Sequence, residues 1–410
     1  MKRLITVLLL ILILISAVGC DLPFFGESDT PDPGKITEAD SVSTFNIYPE
    51  TLHFKPIEKF ERVGFGELNK TQKGIYILLD NAIFNMQTGY ISLGTVSQND
   101  IRKAYFALKL DRPEYFWIPS TYSLRSNGNK NEICLAKSSS DWLYTTSERK
   151  NLEAEIFKFL TNFDQGLTGD ETQYSRELVA HDTLNELIEY DYENVDNYSN
   201  NPAAWDITGA ICRGKAVCEG YSKAMQVLSY ALGINCSTVT GIATGPHMWN
   251  VICIDNSWYH LDLTANDSQN NGYRFYFNVT TEYILKSRTV DADFDTVETA
   301  NINDRSNIFL PKCTATEQNY HVLESTYIAE KKQVESTLVS IICAARRQGK
   351  RSVEFAVSPE MGFVFGNTDT AKFFNIEKCI SIANSELGSK RIKKFNYGGV
   401  NGALGFVISW

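Results

Sequence analysis

The sequence has few of the residue groupings that hold metals, nucleotides or nucleic acids. It contains only five histidines, and its nine cysteines form no C-x-x-C pair and no Cys/His cluster with zinc spacing. No calcium loop, P-loop or nucleotide-binding fingerprint is present. The net charge is −10 at pH 7 without a long basic block, which argues against nucleic acid or an anionic membrane surface as a partner. The sequence therefore predicts no metal, no cofactor and no nucleic-acid partner.

The first twenty residues, MKRLITVLLLILILISAVGC, have the organisation of a bacterial export signal. Lys2 and Arg3 precede a largely apolar run, and small residues lead to Gly19 and Cys20. This ending resembles a lipobox, in which Cys20 is the lipidated residue; an uncleaved membrane anchor is the alternative. Residues 21–45 hold six acids and three prolines and are predicted to form a solvated tether. We expect an extracytoplasmic protein, lipid-anchored to a bacterial cell membrane.

The remaining cysteines are predicted to be mostly buried free thiols. Export would permit disulfides, yet most cysteines lie inside apolar runs such as SIICAA and NVICID. When Cys20 and Cys218 are set aside, seven cysteines remain, so at least one of them is unpaired within the chain.

The rest of the chain divides into three predicted parts. Residues 46–147 and 301–410 each show the order α-β-α-β-β, whereas residues 148–300 pass from helical stretches into aromatic-rich strands. We therefore predict an α+β protein whose central domain is flanked by two small α/β units. The two units are either related or share a common pattern by coincidence. Predicted elements in these units include strands at 90–93, 115–123, 133–136 and 352–357, and a helix at 370–386.

A nearly all-apolar helix is predicted from Cys218 to Leu232, with Gly233 ending it. Such a helix is buried, and Cys218 stands at its N-terminal end, where unpaired N–H groups and the helix dipole favour a thiolate. Gly220 leaves room for a chain or a substrate to approach the sulfur. A lone buried cysteine is usually structural, so this position needs a partner to indicate chemistry.

The strand HMWNVICID supplies that partner in His247. Asp255 and Asn256 are typical of a two-residue hairpin turn, after which the return strand SWYHLDLT begins. If Ile254 pairs with Ser257, Asp262 lies diagonally across from His247 on the same face; a three-residue loop would turn it away. A Cys, a His and an Asp meet the requirement for an activated thiol nucleophile.

The whole string GKAVCEGYSKAMQVLSYALGI, VTG and HMWNVICIDNSWYHLDLT resembles the transglutaminase-like superfamily. The tight match spans residues 214–264, and looser agreement extends back to AHDTLNELIEYDY. The resemblance implies a papain-like core, in which the Cys helix packs on an antiparallel sheet. It also implies that Cys218 is the nucleophile, His247 the base and Asp262 the orienting acid. The run DLTANDS departs from the family's usual ending after the Asp, which puts the nearby substrate wall in doubt.

The resemblance implies a surface-anchored cysteine protease or protein-glutamine acyltransferase, acting on peptide or isopeptide amides such as cell-wall peptide. Hydrolysis is favoured over cross-linking, because the extracytoplasmic space is wet and no amine site is evident. Trp249 is a candidate substrate contact; Trp205, Tyr190 and Tyr192 are candidates for a second oxyanion donor beside the Cys218 N–H. Two alternatives stay open: a binding or scaffold protein without turnover, and flanking units that regulate the enzyme by covering its cleft.

Overall fold

A computed structural model describes residues 52, 62–169, 171–267, 273–297, 306–363, 369–399 and 402–410. The predicted export signal, the lipidation site Cys20 and the tether at 21–45 lie outside these residues. Within the described ranges, no helix is both long and apolar enough to cross a membrane.

The described chain alternates between helices and short strands. The helices are α1 Val63–Gly66, α2 Lys70–Phe84, α3 Gln98–Asp111, α4 Thr146–Gln165, α5 Gln173–Leu187, α6 Cys218–Ala231, α7 Leu263–Asn266, α8 Thr281–Ile284, α9 Tyr320–Leu323, α10 Val334–Arg347, α11 Thr370–Phe374 and α12 Ile376–Leu387. The strands are β1 Ile91–Ser92, β2 Ser123–Asn127, β3 Lys130–Cys134, β4 Glu189–Tyr190, β5 Lys215–Ala216, β6 Cys236–Ile242, β7 Pro246–Ile254, β8 Ser257–Leu261, β9 Thr289–Val290, β10 Tyr327–Ile328, β11 Ser352–Val357, β12 Asn396–Gly399 and β13 Gly405–Ser409.

The N-terminal α/β unit has the predicted element order, with one strand misplaced. Ser97 caps α3 as expected, because its side chain accepts a hydrogen bond from the Asp100 N–H. The prediction of a strand at 115–123 is wrong, since β2 begins only at Ser123. The segment before it is buried but irregular, and its prolines, Pro113 and Pro119, cannot donate to a strand ladder.

The C-terminal α/β unit repeats the strand order of the N-terminal unit. The first sheet has the order β1-β3-β2 and the second contains β11-β13-β12, so in both units the last strand lies between the other two. The C-terminal sheet adds β10, which pairs with β11 in parallel. The strand predicted at 352–357 is confirmed, but the predicted helix at 370–386 is two helices separated by Asn375, whose positive φ of 48° interrupts the helical hydrogen bonds.

The central sheet has the order β8-β7-β6-β9, and α6 packs on it. This is the predicted α+β core, a Cys-bearing helix on an antiparallel sheet. The β7–β8 hairpin has the expected two-residue turn, because Asp255 and Asn256 both have positive φ and Ile254 pairs with Ser257. Gly233 ends α6 with a φ of +69°, as its position predicts.

Two hydrophobic cores lie on opposite sides of this sheet. Ile252 and Ile254 of β7 join a core with α6 and the N-terminal unit, whereas Trp249 and Val251 join a core with the C-terminal unit. The alternation follows from the two-residue period of a strand. The first core crosses the predicted boundary at 147 and the second crosses the one at 300, and residues 44–410 form one compact unit by contacts. The three-domain division therefore stays a prediction from sequence.

The cysteines agree with their prediction as buried free thiols. The eight that the structure describes are all free, and seven of them are buried, whereas Cys212 is half-buried.

We expect removal of residues 334–410 to abolish cooperative unfolding, because it uncovers Trp249, Val251 and the other side chains that share the second core. The measurement is thermal unfolding by circular dichroism, with alkylation of Cys218 as a second readout. A truncated protein that unfolds cooperatively and alkylates faster would instead support a C-terminal unit that covers the cleft.

Candidate active site

Cys218 is the first residue of the central helix α6. Its side chain is 8% exposed, and the preceding Val217 provides no side-chain cap, so the first N–H groups of the helix stay open around the sulfur. Gly220 serves backbone packing here. A Cβ at this position would lie 2.8 Å from the Ala204 carbonyl oxygen and 3.1 Å from that of Asp206. The missing side chain thus admits the 204–206 backbone, not a substrate.

His247 and Asp262 meet at the open end of the β7–β8 hairpin. The ladder between these strands ends at the pair Asn250 and Leu261, and Asp262 follows directly as the N-cap of α7. The His247 Nε2 lies 2.9 Å from the Asp262 Oδ2. The predicted pairing of these two side chains is therefore present. It does not require β8 to continue past Leu261, because Asp262 reaches His247 from the residue that follows the strand.

Asp262 uses its two carboxylate oxygens for different purposes. Oδ1 accepts the Ala265 N–H at 3.0 Å and so caps α7. Oδ2 accepts from His247 and from both Nε and Nη2 of Arg288, at 2.9 and 2.5 Å. The run DLTANDS, which departs from the family pattern, forms this capped turn of helix. The Ala265 N–H of this turn thus fixes the carboxylate.

Arg288 is the one strong contact of this site that sequence reasoning missed. It is 7% exposed, its guanidinium lies 3.9 Å from the centre of the Tyr276 ring, and Nη1 donates to Ser287. A fully buried Asp requires a countercharge, so a cationic partner for Asp262 could have been expected from the sequence. The partner could not be chosen from sequence, because Arg288 is 26 residues away in a loop before β9.

The charges of the site support a protonated imidazole beside an ionised carboxylate. Burial alone would lower the pKa of His247, but the charge and hydrogen bond of Asp262, together with Cys218, raise it to about 10. Burial would raise the pKa of Asp262, but His247, Arg288 and the Ala265 N–H hold it well below its usual range. The raised pKa of His247 and the lowered pKa of Asp262 are the shifts expected when these two side chains form an ion pair with each other.

Cys218 and His247 line the same cleft, and the proximity of Cys218 is one of the causes that raise the pKa of His247. Because Nε2 faces Asp262, Nδ1 is the nitrogen left for the sulfur. The arrangement can take a proton from the thiol, hold it on the ring against a buried carboxylate and return it to a leaving group. No group of three or more His, Cys, Asp or Glu side chains is placed to hold a metal ion within the described ranges.

Trp249, a predicted substrate contact, lies instead behind the imidazole. It is fully buried, stacks on the His247 ring with centroids 5.9 Å apart and donates from Nε1 to His260 Nδ1 at 3.0 Å. Burial and the charge of Arg288 lower the pKa of His260 to about 4, so that ring is neutral. His181 is likewise buried, with its ring between Asp182 and Asn266, and it contacts neither Cys218 nor His247 through a hydrogen bond among the described residues.

A cleft of about 660 Å³ opens onto Cys218 and His247. Residues of the N-terminal unit, the 195–198 loop and the 243–246 loop form its other walls. A second cavity of about 240 Å³ adjoins it, and five residues line both spaces. The shared residues are Lys109, Tyr198, Trp205, Glu219 and Lys223.

The three candidate oxyanion donors differ in their positions. Tyr192 is 76% exposed and does not line the cleft. Tyr190 lines it and pairs through the backbone with Ala216, and burial together with the charge of nearby Cys218 raises its pKa. Trp205 lines it too, and its buried Nε1 has no hydrogen-bond partner among the described residues.

A comparison with protein families matches the central part of the chain. Residues 161–263 match the model of the transglutaminase-like superfamily, so the chain contains a domain of that superfamily, and the resemblance seen in the sequence is confirmed. This match supports a thiol enzyme at the level of the superfamily. No curated protein matches the sequence.

Two solved structures share part of the fold. One is a crystal structure of a TGase, 20% identical, with a TM-score of 0.26; the match covers 36% of this chain and 44% of that one. The other is a proposed cysteine protease from Cytophaga hutchinsonii, 15% identical, with a TM-score of 0.23, covering 36% and 62%. The chain therefore spans less than two thirds of either structure.

We expect Arg288→Met to lower the free energy of unfolding by roughly 3–5 kcal/mol, because it leaves a buried carboxylate with one of its countercharges removed. Urea unfolding measures this, and Arg288→Lys should lose less. The matched control is Arg347→Met, which breaks an exposed pair with Glu386 and should cost about 0–1 kcal/mol. Equal losses in the two methionine variants would contradict the role assigned to Arg288.

The raised pKa of His247 predicts a stability term with a defined pH range. Since the folded value, about 10, exceeds the ordinary 6.5, the term is fully present below the ordinary value and is lost as pH rises through the folded value. The difference in unfolding free energy between wild type and His247→Gln should shrink accordingly. His321→Gln is the control, because burial lowers the pKa of His321 to about 3 and its contribution should not change over that range. A constant difference for His247→Gln would refute the ion pair.

Proposed function

We propose that the protein is a thiol enzyme that cleaves or transfers peptide or isopeptide amides through Cys218, His247 and Asp262. The observation that carries the proposal is a cleft lined by a helix-terminal thiol and by an imidazole whose Nε2 lies 2.9 Å from a buried carboxylate. The superfamily match at 161–263 supports the same chemistry.

The mechanism follows from the positions of these groups. The Cys218 sulfur attacks the amide carbonyl with its proton held by His247, and a C–S bond forms. The C–N bond then breaks as His247 gives that proton to the leaving amine, which leaves a thioester. Water, deprotonated by His247, attacks the thioester and releases a carboxylic acid; an amine in the place of water would give a new amide. Asp262 keeps the ring oriented and stabilises its charged form.

The tetrahedral intermediate carries an oxyanion that needs hydrogen-bond donors. The backbone N–H of Cys218 is one, because the first N–H groups of a helix have no intrahelical partner. Trp205 Nε1 is our choice for the second, since it is buried, unpartnered within the described residues and lines the cleft. Tyr190 is the runner-up, on account of its place beside Ala216.

An extended peptide chain is the substrate that the cleft fits best. The main cleft and the adjoining cavity share a wall that includes Glu219 and Lys223, one helical turn apart on α6. Substrate segments on one side of the reacting amide could follow this wall. We favour hydrolysis over cross-linking and place the enzyme, lipid-anchored through Cys20, at the bacterial cell surface, where cell-wall peptide or surface protein would be available.

The second candidate is a binding or scaffold lipoprotein that uses the transglutaminase-like fold without turnover. The two flanking α/β units would then be the working parts. Cys218→Ala discriminates the two candidates, since it would leave the cellular effect of a scaffold unchanged and abolish that of an enzyme.

We expect iodoacetamide to alkylate Cys218 at least about tenfold faster than the other cysteines at neutral pH, and His247→Ala to remove this advantage. Mass spectrometry of the protein without residues 1–20 measures each site. Cys212 and Cys253 are internal controls, because burial raises their pKa values to about 12 and about 11.

Turnover of peptide amides is the second readout of this experiment. Cys218→Ser should reduce it by at least about a thousandfold. Alkylation of Cys218 at the slow rate of the buried thiols, together with no turnover of any peptide amide, would exclude the enzyme and leave the scaffold.

A further inference from the structure

The C-terminal part of the chain has a charge opposite to that of the whole. Residues 334–410 contain ten Lys and Arg against six Asp and Glu, a net charge of +4, in a protein whose total is −10. In the sequence, eight of these ten cations fall into two short groups about forty residues apart. Neither group is long enough to stand out as a basic block.

The fold brings these two groups together. Arg346 Nε donates to the Lys390 carbonyl at 3.1 Å, and Lys390 Nζ donates to the Arg347 carbonyl at 2.9 Å. The end of α10 thereby joins the loop between α12 and β12. The resulting surface, which we name the basic end, comprises Arg346, Arg347, Lys350, Arg351, Lys390, Arg391, Lys393 and Lys394.

The basic end is open to solvent and only weakly neutralised. Seven of its eight residues are exposed, and Arg346 is half-buried. Among the described residues, Arg347 is the member of the basic end that forms an ion pair, with Glu386 at 3.4 Å. None of the eight lines the catalytic cleft or its adjoining cavity. The surface is therefore separate from the proposed active site.

An aromatic side chain lies among these cations. Arg346 lies 5.8 Å from the centre of the Trp410 ring, and Trp410 donates from Nε1 to the Lys350 carbonyl and from its backbone N–H to the Arg351 carbonyl. The ring is half-buried. Tryptophan with Lys and Arg around it is the composition of a protein surface that meets lipid head groups.

We propose that the basic end docks on an anionic phospholipid surface. Charge complementarity favours the contact, because each Lys or Arg near such a surface contributes measurably to binding. The cations stand on exposed turns and a helix end, which suits a broad flat surface, and the acidic remainder of the protein would face away. This reverses, for one end of the molecule, the expectation drawn from net charge. If Cys20 is lipidated, the patch would add a second signal to a single anchor.

The experiment uses the protein without residues 1–20, so that no anchor contributes. Sedimentation with phosphatidylcholine vesicles, with and without about one-third phosphatidylglycerol, measures partitioning at low salt and at about 0.5 M NaCl. We expect at least about tenfold stronger binding to the anionic vesicles at low salt, and loss of this difference at high salt. Lys393→Glu/Lys394→Glu should abolish most of it, and both side chains are exposed, so the fold should tolerate the change.

The matched control is Lys130→Glu/Lys312→Glu, which makes the same change in net charge at exposed positions outside the basic end. It should retain the binding. Equal loss in both double variants would overturn the proposal, because net charge and not the patch would then govern binding. Absence of binding to anionic vesicles at low salt would overturn it as well, and binding to a soluble polyanion alone would show a different partner. Unchanged thermal unfolding of both variants confirms that each is folded.

Discussion

Asp262 is a fully buried carboxylate, and the arrangement around the cleft depends on how its charge is met. Four hydrogen-bond donors converge on its two oxygens, from β7, from α7 and from the loop that carries Arg288. The donors belong to three stretches of chain, two of them being on Arg288, so a single ionised group holds the hairpin, the following helical turn and the loop in register. The imidazole inherits its orientation from that carboxylate, and the thiol in turn faces an imidazole that is already fixed.

The flanking units participate in this core in different ways. The N-terminal unit contributes α3 to one wall of the cleft, so its side chains would meet whatever occupies the site. The C-terminal unit packs on the other face of the central sheet, against Trp249 and Val251, and the residues of its basic end do not line the cleft. The two units thus share a strand order but differ in position. The N-terminal unit lies beside the cleft, and the C-terminal unit packs on the opposite face of the central sheet.

Sequence reasoning succeeded where local rules determine the structure. The helix beginning at Cys218, its end at Gly233 and the two-residue turn at Asp255 and Asn256 follow from capping and turn preferences. Because that turn sets the register, the meeting of His247 with Asp262 could also be derived. The superfamily match confirms the identity of the domain at 161–263.

Contacts between distant segments could not be derived in this way. Arg288 reaches Asp262 across 26 residues, and no periodicity marks it as buried. The sequence left Trp249 either in the sheet core or at the edge of the cleft, and the alternation of β7 directs it into the second core. The basic end escaped notice for a related reason, since net charge averages over a chain whereas the fold gathers like charges from separate turns.

The indole of Trp249 separates two imidazoles of opposite character. His247 on one side carries a raised pKa of about 10, and His260 on the other a lowered pKa of about 4, with ring centroids 5.9 and 6.3 Å from that of the tryptophan. Neither ring therefore changes its charge between about pH 5 and pH 9. Histidine is ordinarily the residue whose charge changes with pH in the physiological range. The pKa values of His247 and His260 lie outside that range. The ionisation of these two rings would stay constant while the pH of the surrounding solution varies over that interval.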